Sequence, residues 1–140
     1  MPNAEVFLDA NILLYACSFA PEDASKQKCA DDLIQNTSFG ISAQVIQEFL
    51  ANALRKKSLG ITETQIDATL ELASHVTVQP VTLKLICDGV TLRRRFQLSH
   101  WDSTIVAAAI ALGCRILYSE DFQHGATYEG LRVINPFLSP

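Results

Sequence analysis

The chain has no surplus of positive charge. Eleven Lys and Arg stand against 15 Asp and Glu, a net charge of −4. That excludes a general electrostatic footprint for nucleic acid, so any such binding must rest on local basic clusters. There is also no apolar run of membrane length. The longest, Ile105 to Leu112, falls far below the ~20 residues that a spanning helix needs. Residues Met1 to Glu5 lack a basic stretch followed by an apolar core, so no secretory signal is read there and a soluble, cytoplasmic protein is expected. No C-x-x-C pair and no Cys/His cluster of the zinc type occurs. The cysteines, Cys17, Cys29, Cys87 and Cys114, are widely spaced in segments that read as helical. They are expected to be reduced, buried thiols. No internal repeat, linker or low-complexity segment interrupts the chain. Its 140 residues suit a single domain spanning 1–140.

What is present is an alternation of short apolar strands and amphipathic helices. Val6 to Leu8 reads as a strand, and Asn11 to Ala16 starts a helix. Another helix opens at Pro21-Glu22-Asp23, with Cys29, Ala30, Leu33 and Ile34 on one face. Ser38 to Ser42 is a second strand. Ala43 to Lys57 is helical, with Val45, Ile46, Phe49, Leu50, Ala53 and Leu54 as its apolar arc. Thr62-Glu63-Thr64-Gln65 is a capping box that starts the next helix. Val76 to Pro80 is a third strand, Thr82 to Phe96 a helix, and Trp101 to Leu112 the most apolar helix, closed by Gly113. Arg115 to Tyr118 and Leu131 to Ile134 complete the strands. This order predicts an α/β fold, a three-layer α/β/α sandwich around a central, mainly parallel sheet. Ligands of such folds gather outside the carboxyl ends of the strands.

Acids recur at the edges of the apolar runs. Asp9 follows Val6-Phe7-Leu8 with no polar spacer, Asp102 opens the most apolar helix, and Glu120-Asp121 close Ile116-Leu117-Tyr118. A carboxylate between apolar segments is costly to desolvate unless something neutralises it. Each acid also has a plainer role open to it. Asp9 can cap the following helix, Asp102 fits a variant capping box with Ser99, and Asp121 suits a turn. Glu48 falls off the apolar arc of its helix, beside Gln44 and Asn52, which by periodicity reads as a solvated surface. If the acids converge, like charges at short range cannot all stay ionised. A hard divalent cation resolves that conflict, and carboxylate and water ligands suit Mg²⁺ or Mn²⁺. Such a site can activate water and hold a phosphodiester for in-line displacement.

Four segments carry a resemblance. They are Phe7-Leu8-Asp9-Ala10-Asn11, Val45-Ile46-Gln47-Glu48-Phe49, Trp101-Asp102-Ser103 before an alanine-rich helix, and Leu117-Tyr118-Ser119-Glu120-Asp121. The ending Val133-Ile134-Asn135-Pro136 also fits. In order and spacing, along essentially the whole chain, the sequence resembles the PIN-domain proteins, and within them the VapC-type toxins of toxin–antitoxin pairs. The resemblance implies Mg²⁺ or Mn²⁺-dependent endoribonuclease activity, with a metal-activated water attacking the RNA phosphate. It assigns the metal-binding acids to Asp9, Glu48, Asp102 and Asp121. Asn11 and Ser119 become supporting polar residues, and Glu120 stands beside Asp121 as an alternative at the last position. An RNA substrate, a homodimer and a small inhibitory antitoxin are implied as partners.

Arg93-Arg94-Arg95 and Arg55-Lys56-Lys57 are the basic clusters. Both read as solvated helix ends, with RNA-backbone contact as the alternative, and Arg93, Arg94 and Arg95 lead more directly to Asp102. Trp101 reads as a packing residue, with base stacking as the alternative. His100 and His124 read as exposed, with proton transfer open to either. Two rival functions remain: a phosphotransferase with Asp9 as nucleophile, and a non-catalytic interaction module whose acids merely cap helices. The first wants a second Asp two residues on, where Asn11 stands.

Overall fold

A computed structural model describes residues 4–138; the segment Met1 to Asn3, part of the N-terminal reading above, lies outside them. The sheet has six strands in the order β3-β2-β1-β4-β6-β5. They are β1 (Val6–Leu8), β2 (Phe39–Ser42), β3 (Thr77–Gln79), β4 (Ile116–Tyr118), β5 (Thr127–Tyr128) and β6 (Leu131–Ile134). The helices are α1 (Ala10–Cys17), α2 (Ala24–Asn36), α3 (Ala43–Arg55), α4 (Glu63–Ala73), α5 (Leu83–Phe96) and α6 (His100–Ala111). Every pairing is parallel except that of β5 with β6. The α/β/α expectation holds.

The central strands are buried because a parallel sheet is covered on both faces. Phe7, Leu8, Leu117 and Val133 are sealed from solvent, as are Val45 and Phe49 of α3. Each such side chain contributes roughly 1.5–3 kcal/mol. Residues Ser103 to Ala109 of α6 are all buried, which explains why that helix has no polar face. Where α5 packs on α6, Gly89 allows the approach: a Cβ there would lie 2.9 Å from Thr104 Cγ2.

Local signals set most boundaries. Thr62 and Gln65 form the reciprocal capping box, Ser42, Thr82 and Ser99 cap α3, α5 and α6, and Gly60 and Gly113 take positive φ after their helical segments. Pro21–Asp23 forms a 3₁₀ turn ahead of α2 rather than its first turn, and α3 stops at Arg55 before a second such turn. The strand β5 has no counterpart in the sequence reading. Its two residues are too few to show a period of two.

The thiols depart from expectation. Cys114 is buried but sits in the loop before β4, Cys17 and Cys29 are half-buried, and Cys87 is exposed. Cys87 lies off the Leu85, Gly89, Leu92 face that α5 buries. Among the described residues, no helix is long and apolar enough to cross a membrane.

Candidate active site

The chain runs from β1 outward to β2 and β3, then returns to lay β4 on the other side of β1. The gap between the carboxyl ends of β1 and β4 is therefore a topological switch point, where α/β sheets bind ligands. Register brings Leu8 beside Tyr118, so the residues that follow, Asp9 and Ser119, meet. The Asp9 backbone N–H donates to the Tyr118 carbonyl at 3.1 Å. Ser119 Oγ donates to Asp9 Oδ2 at 2.7 Å, and the other carboxylate oxygen accepts from Ala10 N–H at 2.8 Å. Asp9 thus caps α1 and also lines a cavity of about 400 Å³. Capping the helix therefore does not remove its carboxylate from the cavity.

Asp9, Glu48, Asp102 and Asp121 all line that cavity, together with Asn11 and Glu120. They come from the end of β1, from α3, from the first turn of α6 and from the loop after β4. Glu48 corrects the periodicity reading. It is partly buried, because the flank of α3 beside its apolar arc faces the cavity rather than bulk water. Ser119 is fully buried and uses its hydroxyl completely: besides the bond to Asp9, it accepts from Asn11 Nδ2 at 3.3 Å and from the Asp121 N–H at 3.1 Å. Asn11 Nδ2 also donates to Asp121 Oδ2 at 3.1 Å. Asp9 and Asp121 are therefore tied through two neutral polar side chains.

Glu120 is turned to other work. Tyr15 Oη donates to one of its oxygens and Lys26 Nζ to the other, the latter at 2.8 Å. Lys26 also lies 4.7 Å from the centre of the Tyr15 ring, so a cation–π contact braces the ion pair.

The electrostatics follow from this crowding. Asp9 is 5 % exposed, and burial raises its pKa to about 6; the hydrogen bonds from Ser119 and Ala10 oppose the rise, and the charges of Asp121 and Asp102 add to it. Burial raises Glu48 to about 7, helped by the charge of Asp9 and opposed by a hydrogen bond from Gln44. Burial also lifts Asp102, again with Asp121 adding. The charge of Asp121 thus bears on all three, and like charges at this range make ionisation harder.

A cation would relieve that repulsion, and the donor set is all oxygen, as Mg²⁺ and Mn²⁺ require. Among the described residues, no three acid, His or Cys side chains are grouped closely enough to hold an ion by themselves. A cation there would take at most two of these carboxylates directly and meet the others through water, an arrangement that Mg²⁺ accepts.

The remaining candidates lie outside the cavity lining. Arg93, Arg94 and Arg95 are exposed on the last turn of α5, and Arg95 pairs with Glu129 at 2.6 Å. His124 Nδ1 accepts from the Asn135 N–H, and His100 packs its ring against Trp101. Trp101 corrects the packing expectation: it is 64 % exposed. Its place beside an apolar helix suggested a buried ring, but the first turn of α6 projects beyond the core. Lys56, part of the other basic cluster, does line the cavity. Nothing in its spacing distinguished it from Arg55 or Lys57.

A family profile of the PIN domain matches residues 6–129. A search of curated protein sequences gives no match. Among solved structures, the chain is similar to a toxin–antitoxin complex from Klebsiella pneumoniae, with 19% identity and a TM-score of 0.67 over 94% of this chain and 98% of that one. It is similar to VapBC2 from Rickettsia felis bound to a promoter DNA fragment, with 20% identity and a TM-score of 0.64 over 91% and 96%. It is also similar to Mycobacterium tuberculosis VapC20, a toxin that cleaves the sarcin–ricin loop, with 18% identity and a TM-score of 0.65 over 83% and 89%. These likenesses establish a shared fold.

Proposed function

The chain belongs to the PIN domain family, and from that premise we propose that it is a Mg²⁺- or Mn²⁺-dependent endoribonuclease, the toxin of a toxin–antitoxin pair, acting as one nuclease domain. One observation carries the reading: four carboxylates from four separate parts of the chain line one cavity at the switch point, where burial and neighbouring charge disfavour ionisation of Asp9, Glu48 and Asp102. The structural neighbours, two of them toxin–antitoxin assemblies and one an RNA-cleaving toxin, support the choice of substrate and of an antitoxin as partner.

In this reading Asp9, Glu48, Asp102 and Asp121 hold the cation between them, some directly and the others through its waters. When bound, it supplies Lewis acidity and a water of lowered pKa for in-line attack on a phosphodiester. The protein's own part is positional. Ser119 and Asn11 hold Asp9 and Asp121 at a fixed separation. The Ser99 cap fixes the start of α6 and so the height of Asp102. Asp121, rather than Glu120, serves the last position, because Tyr15 and Lys26 already occupy both Glu120 oxygens. Arg93 and Arg94 contact the RNA backbone in a salt-dependent way. A homodimer belongs to the same reading, and sedimentation of the purified chain tests it.

The test of the activity is cleavage of total cellular RNA by purified protein, with Mg²⁺ or Mn²⁺ and with EDTA, beside Asp9→Asn and Asp102→Asn. Asn caps helices as well as Asp does, so Asp9→Asn keeps the fold. Fragments that require the cation and both acids are expected. Folded, antitoxin-free protein that leaves RNA intact in every cation would refute the reading.

A further inference from the structure

Trp101 stands exposed in the first turn of α6, one residue before Asp102, which lines the acid cavity. Its surroundings are well ordered by contacts. The His100 ring meets the indole edge-on at 4.7 Å between centroids. Gln44 Nε2 donates to the Trp101 carbonyl at 3.0 Å, and the same Gln44 side chain accepts from the Thr104 hydroxyl at 2.6 Å. Gln44 lies one helical turn before Glu48 on α3. The backbone that carries the indole is therefore clamped to the helix that carries one acid and is continuous with another.

Its neighbours are polar. Arg93 and Arg94 end α5, and the turn Gln97 to Ser99 leads from them straight to His100 and Trp101. The exposed apolar side chains Leu83 and Ile86 belong to the other end of α5, roughly 15–20 Å away along the helix axis. Leu54 lies ten residues beyond Gln44 on α3, about 15 Å along that axis. A protein-docking patch would be a contiguous apolar surface. A single exposed aromatic face, next in the chain to a cavity acid and following a turn that begins at the arginine end of α5, is instead the arrangement that holds unpaired nucleic acid, through stacking and backbone charge.

We propose that Trp101, braced by His100, is the platform on which an unpaired base next to the scissile phosphate stacks, and that it sets the register of RNA over the acid cavity. This rests on the nuclease reading above for its substrate. It makes Trp101 a positioning residue, one that binds a neighbouring nucleotide and takes no part in the chemistry.

Trp101 is the chain's single tryptophan, so intrinsic fluorescence reports this ring alone. In Asp9→Asn protein with EDTA, where RNA stays intact, single-stranded RNA of mixed sequence should quench the emission saturably. Trp101→Leu should bind the same RNA, labelled and followed by anisotropy, roughly 5- to 100-fold more weakly, and Trp101→Phe should recover most of the loss. In the active background Trp101→Leu should raise KM and keep kcat. Unchanged emission with unchanged affinity would overturn the platform even if the wild type cleaves RNA, leaving the nuclease reading intact. Quenching by RNA in a protein that cleaves nothing would keep the platform and remove the nuclease. Emission that changes with protein concentration alone, with a dimer lost in Trp101→Leu, would assign the ring to a contact between copies and overturn the proposal.

Discussion

Ser119 Oγ donates a 2.7 Å hydrogen bond to Asp9 Oδ2 across 110 positions of sequence, with both residues buried. The bond exists because Leu8 and Tyr118 are paired in register on adjacent parallel strands. It stabilises the ionised form of Asp9 against the burial that disfavours it.

Removing that hydroxyl has consequences in two directions. Ser119→Ala leaves Asp9 with one fewer donor, and Asn11 and the Asp121 N–H with one fewer acceptor. Stability should fall by about 1–3 kcal/mol. The Mn²⁺ concentration needed for half-maximal cleavage should rise roughly 10- to 100-fold, as for other residues that orient metal ligands. The activity profile should move to higher pH, because Asp9 then ionises later. A cation titration at several pH values checks this, and a wild-type cation requirement would remove Ser119 from the site's function.

Asp9 itself should make the cation-free protein less stable as pH rises. Its folded pKa of about 6 lies above the ordinary value of 3.8, so between those values the folded state binds more protons than the unfolded state. Stability is then fullest below about pH 4 and declines through about pH 6, by on the order of 2–3 kcal/mol. Glu48, raised from 4.5 to about 7, extends the decline to neutral pH with a smaller effect, since it is only partly buried. Asp9→Asn should therefore be more stable than wild type near neutrality in EDTA, and its urea midpoint should vary less with pH. Equal slopes in the two proteins would contradict the assignment. Added Mn²⁺ should raise the wild-type Tm and raise that of Asp9→Asn much less.

Glu120 and Asp121 are adjacent in sequence but should differ in effect. Glu120→Gln loosens the contact with Lys26 and Tyr15 and should leave cleavage within roughly threefold of wild type, whereas Asp121→Asn should lower it by about 10²-fold or more. Single-turnover rates at saturating cation distinguish them. The reverse order would make Glu120 the acid that serves the cation.

Gly89→Ala tests the packing beneath the site. The added methyl would lie 2.9 Å from Thr104 Cγ2, so α5 and α6 must separate. A loss of about 1–3 kcal/mol is expected, despite the gain of up to ~1 kcal/mol in helix propensity. Denaturant melts measure it. Cleavage should weaken as well, because Thr104 anchors Gln44.

Local chemistry was decided by the sequence alone. The Thr62–Gln65 box, the Ser99 cap and the buried Val6–Leu8 and Ile116–Tyr118 runs each depend on residues a few positions apart. Their periodicity and hydrogen-bonding capacity specify helix or strand without reference to the rest of the chain. The order of these segments was enough to predict the layered fold and to place Asp9 and Asp121 just past strand ends. Only the tertiary structure decided which faces meet. Glu48 enters the cavity because α3 presents its flank there, which no period along α3 encodes. Glu120 lines the cavity with both oxygens already engaged, because Tyr15 and Lys26, far off in sequence, reach it. Trp101 is exposed because the first turn of α6 projects past the core, although the same helix is buried from Ser103 onward. Burial and charge are properties of what packs against a residue, and that is set by long-range register rather than by local pattern.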